Sequence, residues 1–162
     1  MKTLYLLRHG EAAWGERAMP DRDRPLLPRG EQEAAAVAIR WSQTWARPGL
    51  ILSSPAVRAL ASARIVAHGF NYDLDEIAVH GRLYDATRST LISVIEGLDD
   101  GFDAVMLVGH NPGLTDLARH LDDRITPMAT GAVAGFRFDT RSWAGLGNAR
   151  PVSTTADSPN AS

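Results

Sequence analysis

Apolar residues follow two rhythms along this chain: short unbroken runs, and stripes at three- and four-residue spacing. Lys2 to Leu7 carries the run "LYLL" with no polar alternation. That pattern predicts a strand buried on both faces, as in the centre of a parallel sheet. "PGLILSS" at Pro48 to Ser54 predicts a second short strand, and "DAVMLVG" at Asp103 to Gly109 a third buried one. Leu74 to Val79 reads as a further short strand, and "AVAGFRF" at Ala132 to Phe138 as a last one, antiparallel at an edge.

Between these runs the period changes to that of helices. Pro28 opens a helix through about Trp45, with Ala34, Val37, Ala38, Trp41 and Trp45 on one stripe, the two tryptophans reading as core packing. Pro55 starts another that Gly69 closes as a C-terminal cap. Ser89 to Leu98 and Pro112 to Leu121 complete the set. Strand and helix alternate in order, which predicts a three-layer α/β/α sandwich around a mainly parallel sheet.

Two segments carry neither rhythm. Ala12 to Leu27 is a loop dense in charge. From about Gly145 the chain turns to Gly, Asn, Pro, Ser and Thr, too little apolar surface to offset its ordering entropy. The expectation is one domain over residues 1–144 and a flexible tail over 145–162, with Trp143 placed to pin its start.

Composition narrows the function classes. The chain has 162 residues, 44% of them hydrophobic and 22% charged, enough for one full core and too few for two ordinary domains. A formal net charge of -2 offers no global basic field for nucleic acid or an anionic membrane. With no cysteine there is no disulfide, thiolate metal site or cysteine nucleophile. No apolar run approaches the roughly 20 residues a bilayer span requires, and no charged segment leads into a signal-like stretch, so a soluble cytoplasmic protein is expected.

Three strand-to-helix junctions carry polar residues of one kind. The first run ends in Arg8, His9 and Gly10, the glycine permitting close backbone approach and leaving the His9 ring accessible. The second ends in "SSPAVRA", with Arg58 on the first turn of the following helix. The third ends in "VGHNPG", which supplies His110 and beside it Asn111. In open parallel sheets such junctions converge on ligands. Two arginines and two histidines at one edge make a pocket for a tetrahedral dianion, since guanidinium forks match phosphate oxygens. A neutral His9 can attack phosphorus and hold the phosphoryl group covalently. His110 is expected to bind an equatorial oxygen as a charged donor.

The stretches "LLRHGE", "SSPAVRALASA" and "VGHNPG" resemble the three signatures of the histidine phosphatase superfamily, also called phosphoglycerate-mutase-like. The similarity runs from the first strand to about Phe138. "RPLLPRGEQEA" and "GHNPGLTDLA", with a short chain lacking large cap insertions, resemble the SixA-type phosphohistidine phosphatase branch. The resemblance implies His9 as the phosphorylated nucleophile, with Arg8, Arg58 and His110 around the phosphate. It adds Arg24 as a loop arginine of the pocket, and Gly10 and Asn111 as neighbours of the substrate. For the general acid it points to Asp85 in "LYDATRS", with Glu11 as the other candidate. A phosphohistidine leaving group is protonated easily and needs a strong acid less than an alkyl phosphate does.

The function expected is therefore a metal-independent phosphatase acting on a phosphorylated protein, such as a phosphohistidine-carrying domain, and releasing inorganic phosphate. No HExxH-like spacing appears, so no metal or cofactor is expected, and His68, His80 and His120 read as surface or helix-end residues. Two alternatives stay open: a broad-specificity phosphomonoesterase or mutase-like enzyme acting on a small phosphate ester, and a module that binds phosphorylated ligands without turnover. The span between Arg58 and His110 is too short for a mutase cap, and a binder would not need both histidines.

Overall fold

The computed structural model describes residues 1–14 and 18–159. Its strands are β1 (Lys2–Arg8), β2 (Leu50–Ser53), β3 (Ala78–Val79), β4 (Ala104–Gly109), β5 (Val133–Phe138) and β6 (Ser153–Asp157). Its helices are α1 (Pro28–Thr44), α2 (Val57–Gly69), α3 (Arg88–Glu96) and α4 (Gly113–Leu121). They form one sheet in the order β3-β2-β4-β1-β5-β6. The first four of these strands run parallel, and β5 is antiparallel to both β1 and β6.

The unbroken run in β1 is explained by burial on both sides. Leu4 and Leu6 pack with α3 and α4, together with Leu91, Ile95, Leu114 and Leu117. Tyr5 and Leu7 face the other way, against Val37, Ala38 and Trp41 of α1 and Ala59, Ala63 and Val66 of α2. Successive side chains of a strand point to opposite faces, so each of Leu4 to Leu7 must be apolar for both layers to close. Trp41 and Trp45 stack with centroids 4.8 Å apart and meet the Tyr5 ring edge-on, as core packing requires.

Several boundaries differ from expectation. The strand expected at Leu74 to Val79 shrinks to Ala78–Val79, because Leu74–Glu76 forms a 3-10 turn with the Asp73 carboxylate accepting from Asp75 N–H at 3.0 Å. Helix α2 begins at Val57 rather than Pro55, and α4 at Gly113 rather than Pro112. Strand β5 is antiparallel but lies inside the sheet, since β6 covers its outer edge.

That last difference corrects the flexible tail expected at 145–162. Residues Ser153–Asp157 pair along β5, from Val133↔Asp157 to Arg137↔Ser153. Leu146 is buried, and Trp143 is fully buried with its indole N–H donating to the Phe102 carbonyl at 2.8 Å. The Asp157 carboxylate accepts from Arg40 Nε at 2.7 Å and from the Trp41 indole N–H at 3.1 Å. Backbone pairing and these tethers supply the order that apolar burial alone would not. Residues 160–162 of that stretch lie outside the described residues. Among the described residues no helix is long and apolar enough to cross a membrane.

Candidate active site

The site follows from strand register. Arg8 pairs with Gly109 across β1 and β4, and Ser53 with Val108 across β2 and β4. One residue further on, the chain delivers His9, His110 and Ser54 side by side at one sheet end. The two imidazole rings lie 5.1 Å apart between centroids. Arg58, on the first turn of α2, places its Nε 3.4 Å from His9 Nε2.

The tautomer of His9 is fixed by its other nitrogen. Nδ1 lies 2.7 Å from the Gly10 carbonyl, an acceptor only, so the hydrogen sits on Nδ1 and Nε2 keeps its lone pair. Burial first, with Arg58, Arg8 and Arg24 adding to it and the Gly10 contact opposing, pushes the ring down to about 4. His9 is therefore neutral at physiological pH.

His110 is held by Ser54. Ser54 Oγ lies 2.7 Å from His110 Nε2 and accepts the Ala56 N–H at 3.2 Å. Ser54 is fully buried and its oxygen already accepts one backbone hydrogen, so we assign its hydroxyl hydrogen to Nε2 and the ring hydrogen of His110 to Nδ1. Burial, then His9 and Arg58, push this ring down to about 3. These surroundings do not favour the charged donor expected from sequence: burial, with His9 and Arg58 beside it, biases the His110 ring toward its neutral form. A neutral imidazole still donates through Nδ1.

Arg8 Nη1 donates to the Met128 carbonyl at 3.0 Å, leaving Nε without a partner. Among the described residues, Arg8 Nε and His110 Nδ1 are the two buried side-chain polar atoms with no hydrogen-bond partner. Both residues line the same cavity of about 470 Å³, together with His9, Glu11, Arg24 and Arg58. Buried donors left unmade are costly, of order 1–3 kcal/mol each, and such vacancies in one cavity mark where an acceptor binds.

The other expected residues are placed as follows. Arg24 lines the cavity, held by Nε to the Ala13 carbonyl at 2.7 Å and stacked on Trp14, its Cζ 4.8 Å from the ring centre. Asn111 also lines it, but its carboxamide is engaged by the fold. Its Nδ2 donates to the Met128 carbonyl at 2.8 Å, and its Oδ1 accepts from the Thr115 N–H and hydroxyl at 3.2 and 2.9 Å. Gly10 is not among the lining residues; a Cβ on it would lie 2.4 Å from the Gly30 carbonyl oxygen, so its role is to let the start of α1 approach the loop. Asp85, in the left-handed backbone region at φ 53°, lines an adjoining cavity of about 260 Å³ that shares Arg58, His110 and Asn111. Glu11 lies in the larger cavity, 3.4 Å from Arg29 Nε through Oε2.

Three site residues escaped sequence reasoning. Ser54 lies in "SSPAVRA", a stretch in which Arg58 alone carries the sequence signal. Asp21 and Tyr84 are far apart in sequence, and only the fold brings the Tyr84 hydroxyl onto Asp21 Oδ2. No group of three or more His, Asp or Glu side chains suited to a metal ion occurs among the described residues.

Comparison with known proteins gives consistent results. The family described as histidine phosphatase superfamily (branch 1) matches residues 4–87. An uncharacterised chloroplastic protein of Arabidopsis thaliana is 30% identical over 154 residues, covering 88% of this chain and 69% of its own. The crystal structure of a candidate phosphohistidine phosphatase SixA from Agrobacterium tumefaciens superposes with a TM-score of 0.80 at 29% identity, covering 96% of this chain and 98% of that one. A protein histidine phosphatase SixA complexed with tungstate superposes with a TM-score of 0.76 at 22% identity, over 97% of each chain.

Proposed function

The chain belongs to the histidine phosphatase superfamily, and from that premise we propose that it is a phosphatase that works through phosphorylated His9 and takes phosphohistidine on a protein as substrate. The main support is the pair of unpartnered buried nitrogens, Arg8 Nε and His110 Nδ1, in the cavity that His9 lines. Arg8, Arg24, Arg58 and the His110 Nδ1–H are the donors for a tetrahedral dianion. The tungstate bound by the SixA protein is an ion of that kind.

In the first step the His9 Nε2 lone pair attacks phosphorus in line, and the bond from phosphorus to the substrate nitrogen breaks. The leaving imidazole takes a proton from Asp85, which lines the adjoining cavity. Transfer from one imidazole to another exchanges like bonds and is close to balanced in energy. Water then attacks phospho-His9, Asp85 accepts its proton, and inorganic phosphate departs with His9 neutral again. These residues supply positioning and charge, the two contributions phosphoryl transfer most needs.

The substrate class is supported by the shape of the site. Among the described residues no large insertion closes over it, and Trp14 at its rim is 90% exposed, so a phosphorylated side chain on another protein can reach His9. Incubation with radiolabelled phosphohistidine protein and with a panel of small phosphate esters tests the reading. The expected result is an acid-labile phosphoenzyme on the wild type and none on His9→Ala, with turnover fastest on the phosphohistidine protein. Turnover of sugar phosphates alone would overturn the substrate class, and ligand binding without a phosphoenzyme would make the chain a binder.

A further inference from the structure

Every nitrogen of the Arg58 guanidinium already has a protein partner. Nε faces His9 Nε2 at 3.4 Å, Nη1 donates to the Asp21 carbonyl at 2.7 Å, and Nη2 donates to Asp21 Oδ2 at 3.0 Å. The same carboxylate accepts the Tyr84 hydroxyl on Oδ2 and Arg24 Nη1 on Oδ1 at 3.0 Å. Arg22 completes the cluster by stacking over the Tyr84 ring, its Cζ 4.7 Å from the ring centre. Asp21 thus sits as an internal anion on two of the arginines that a phosphoryl group must use.

Its exposure differs from that of Arg58. The Arg58 side chain is 7% exposed and comes from a helix packed on the sheet, whereas the Asp21 side chain is 49% exposed and comes from the loop before α1. When an anion arrives, Asp21 can turn to solvent at little cost and Arg58 cannot. Asp21 also lines the smaller cavity with Asp85, so a leaving group held there meets two carboxylates.

We infer that Asp21 is a charge gate of the phosphate site: a phosphoryl group binds by exchanging with the Asp21 carboxylate on Arg58 and Arg24, which weakens the hold on free phosphate and disfavours substrates bearing a second negative charge beside the phosphoryl group. This inference rests on the phosphatase reading above. An imidazole leaving group, neutral or cationic, suits the two carboxylates, and a carboxylated phosphate ester does not. Product phosphate released from phospho-His9 meets the returning carboxylate, which favours its departure.

Calorimetric titration of inorganic phosphate into the wild type, Asp21→Asn and Tyr84→Phe tests the gate without any need for turnover. Asn keeps the size and an acceptor oxygen but removes the charge, and Phe removes the hydroxyl that steadies the carboxylate. The expected result is phosphate binding tighter by about tenfold in Asp21→Asn and by a smaller factor in Tyr84→Phe. In the same preparations, kcat/KM on a carboxylated phosphate ester should rise relative to that on an N-phosphorylated peptide. Equal or weaker phosphate binding in Asp21→Asn overturns the gate and makes Asp21 a support for Arg58, while the phosphatase reading stands. Phosphate bound by none of the three proteins overturns the anion site and the gate together. Should Asp21→Asn fail to fold, Tyr84→Phe decides alone: unchanged or weaker binding there overturns the gate.

Discussion

Ser54 Oγ and His110 Nε2 lie 2.7 Å apart, and the Ala56 N–H occupies the same serine oxygen from the other side. With its hydrogen assigned to Nε2, this one hydroxyl sets which nitrogen of a candidate-site histidine carries hydrogen. Ser54→Ala frees the ring to take its other tautomer, which cannot donate through Nδ1. The expected outcome is a kcat lower by roughly tenfold with KM little changed. Ser54→Thr, which keeps the hydroxyl, should restore most of it. Steady-state rates on one phosphorylated substrate check this, and full activity in Ser54→Ala would show that the hydroxyl does not set the donor.

The two histidines also make stability depend on acid. His9 and His110 have folded values of about 4 and about 3, below the ordinary value of 6.5. Above 6.5 both states are neutral and the pair has no effect. As pH falls from 6.5 toward 4 the unfolded chain gains protons that the native state refuses, so native stability drops. Thermal melts at pH 7.5 and pH 5 should show a lower Tm at pH 5, and the difference should shrink in His110→Gln. An unchanged difference would mean that the histidines do not titrate as their burial implies.

Gly10 and Gly30 allow two backbones to touch. A Cβ on Gly10 would sit 2.4 Å from the Gly30 oxygen, and one on Gly30 would sit 2.2 Å from the Glu11 oxygen. Backbone cannot step aside as a side-chain tip can, so Gly10→Ala should displace the loop after His9. Overpacking of this kind costs about 1–3 kcal/mol, and Tm should fall by several degrees while activity collapses. A melt combined with an activity assay tests both effects in one preparation.

Asp157 ties β6 to α1. Removing its carboxylate leaves the buried Trp41 indole N–H without an acceptor and the Arg40 guanidinium with only the Ser158 carbonyl. Asp157→Ala should cost about 1–3 kcal/mol, a Tm shift of several degrees. Amide hydrogen exchange should quicken in β5 as well as β6, because their ladder is shared. A segment without native order would show neither effect.

How much of this was legible in the sequence follows from how local each signal is. The runs at β1 and β4 are buried on both faces and could be read directly, and with them the ends that carry Arg8, His9 and His110. Strand β6 has no such signature: Ser153–Asp157 is polar, and what holds it is pairing with β5 and contact with Arg40 and Trp41, more than a hundred positions away. Ser54 and Asp21 gave no signal for the same reason. An ordinary serine and an aspartate in a charged loop acquire roles only when folding sets them against His110 and Arg58. The protonation of His110 is not legible in the sequence because it depends first on how deeply the fold buries the ring and then on the charges set beside it, neither of which motif spacing records.

The register of β1 against β4 has one more consequence. His9 and His110 are spaced by a hydrogen-bonded ladder of six residue pairs, not by the loops that border the cavity. Replacement of the loop before α1, or of the turn around Tyr84 and Asp85, would alter which molecules reach the site and leave the distance between the two rings intact. In an engineering sense the phosphate chemistry is anchored in the sheet, and the choice of substrate is carried by segments that can be exchanged.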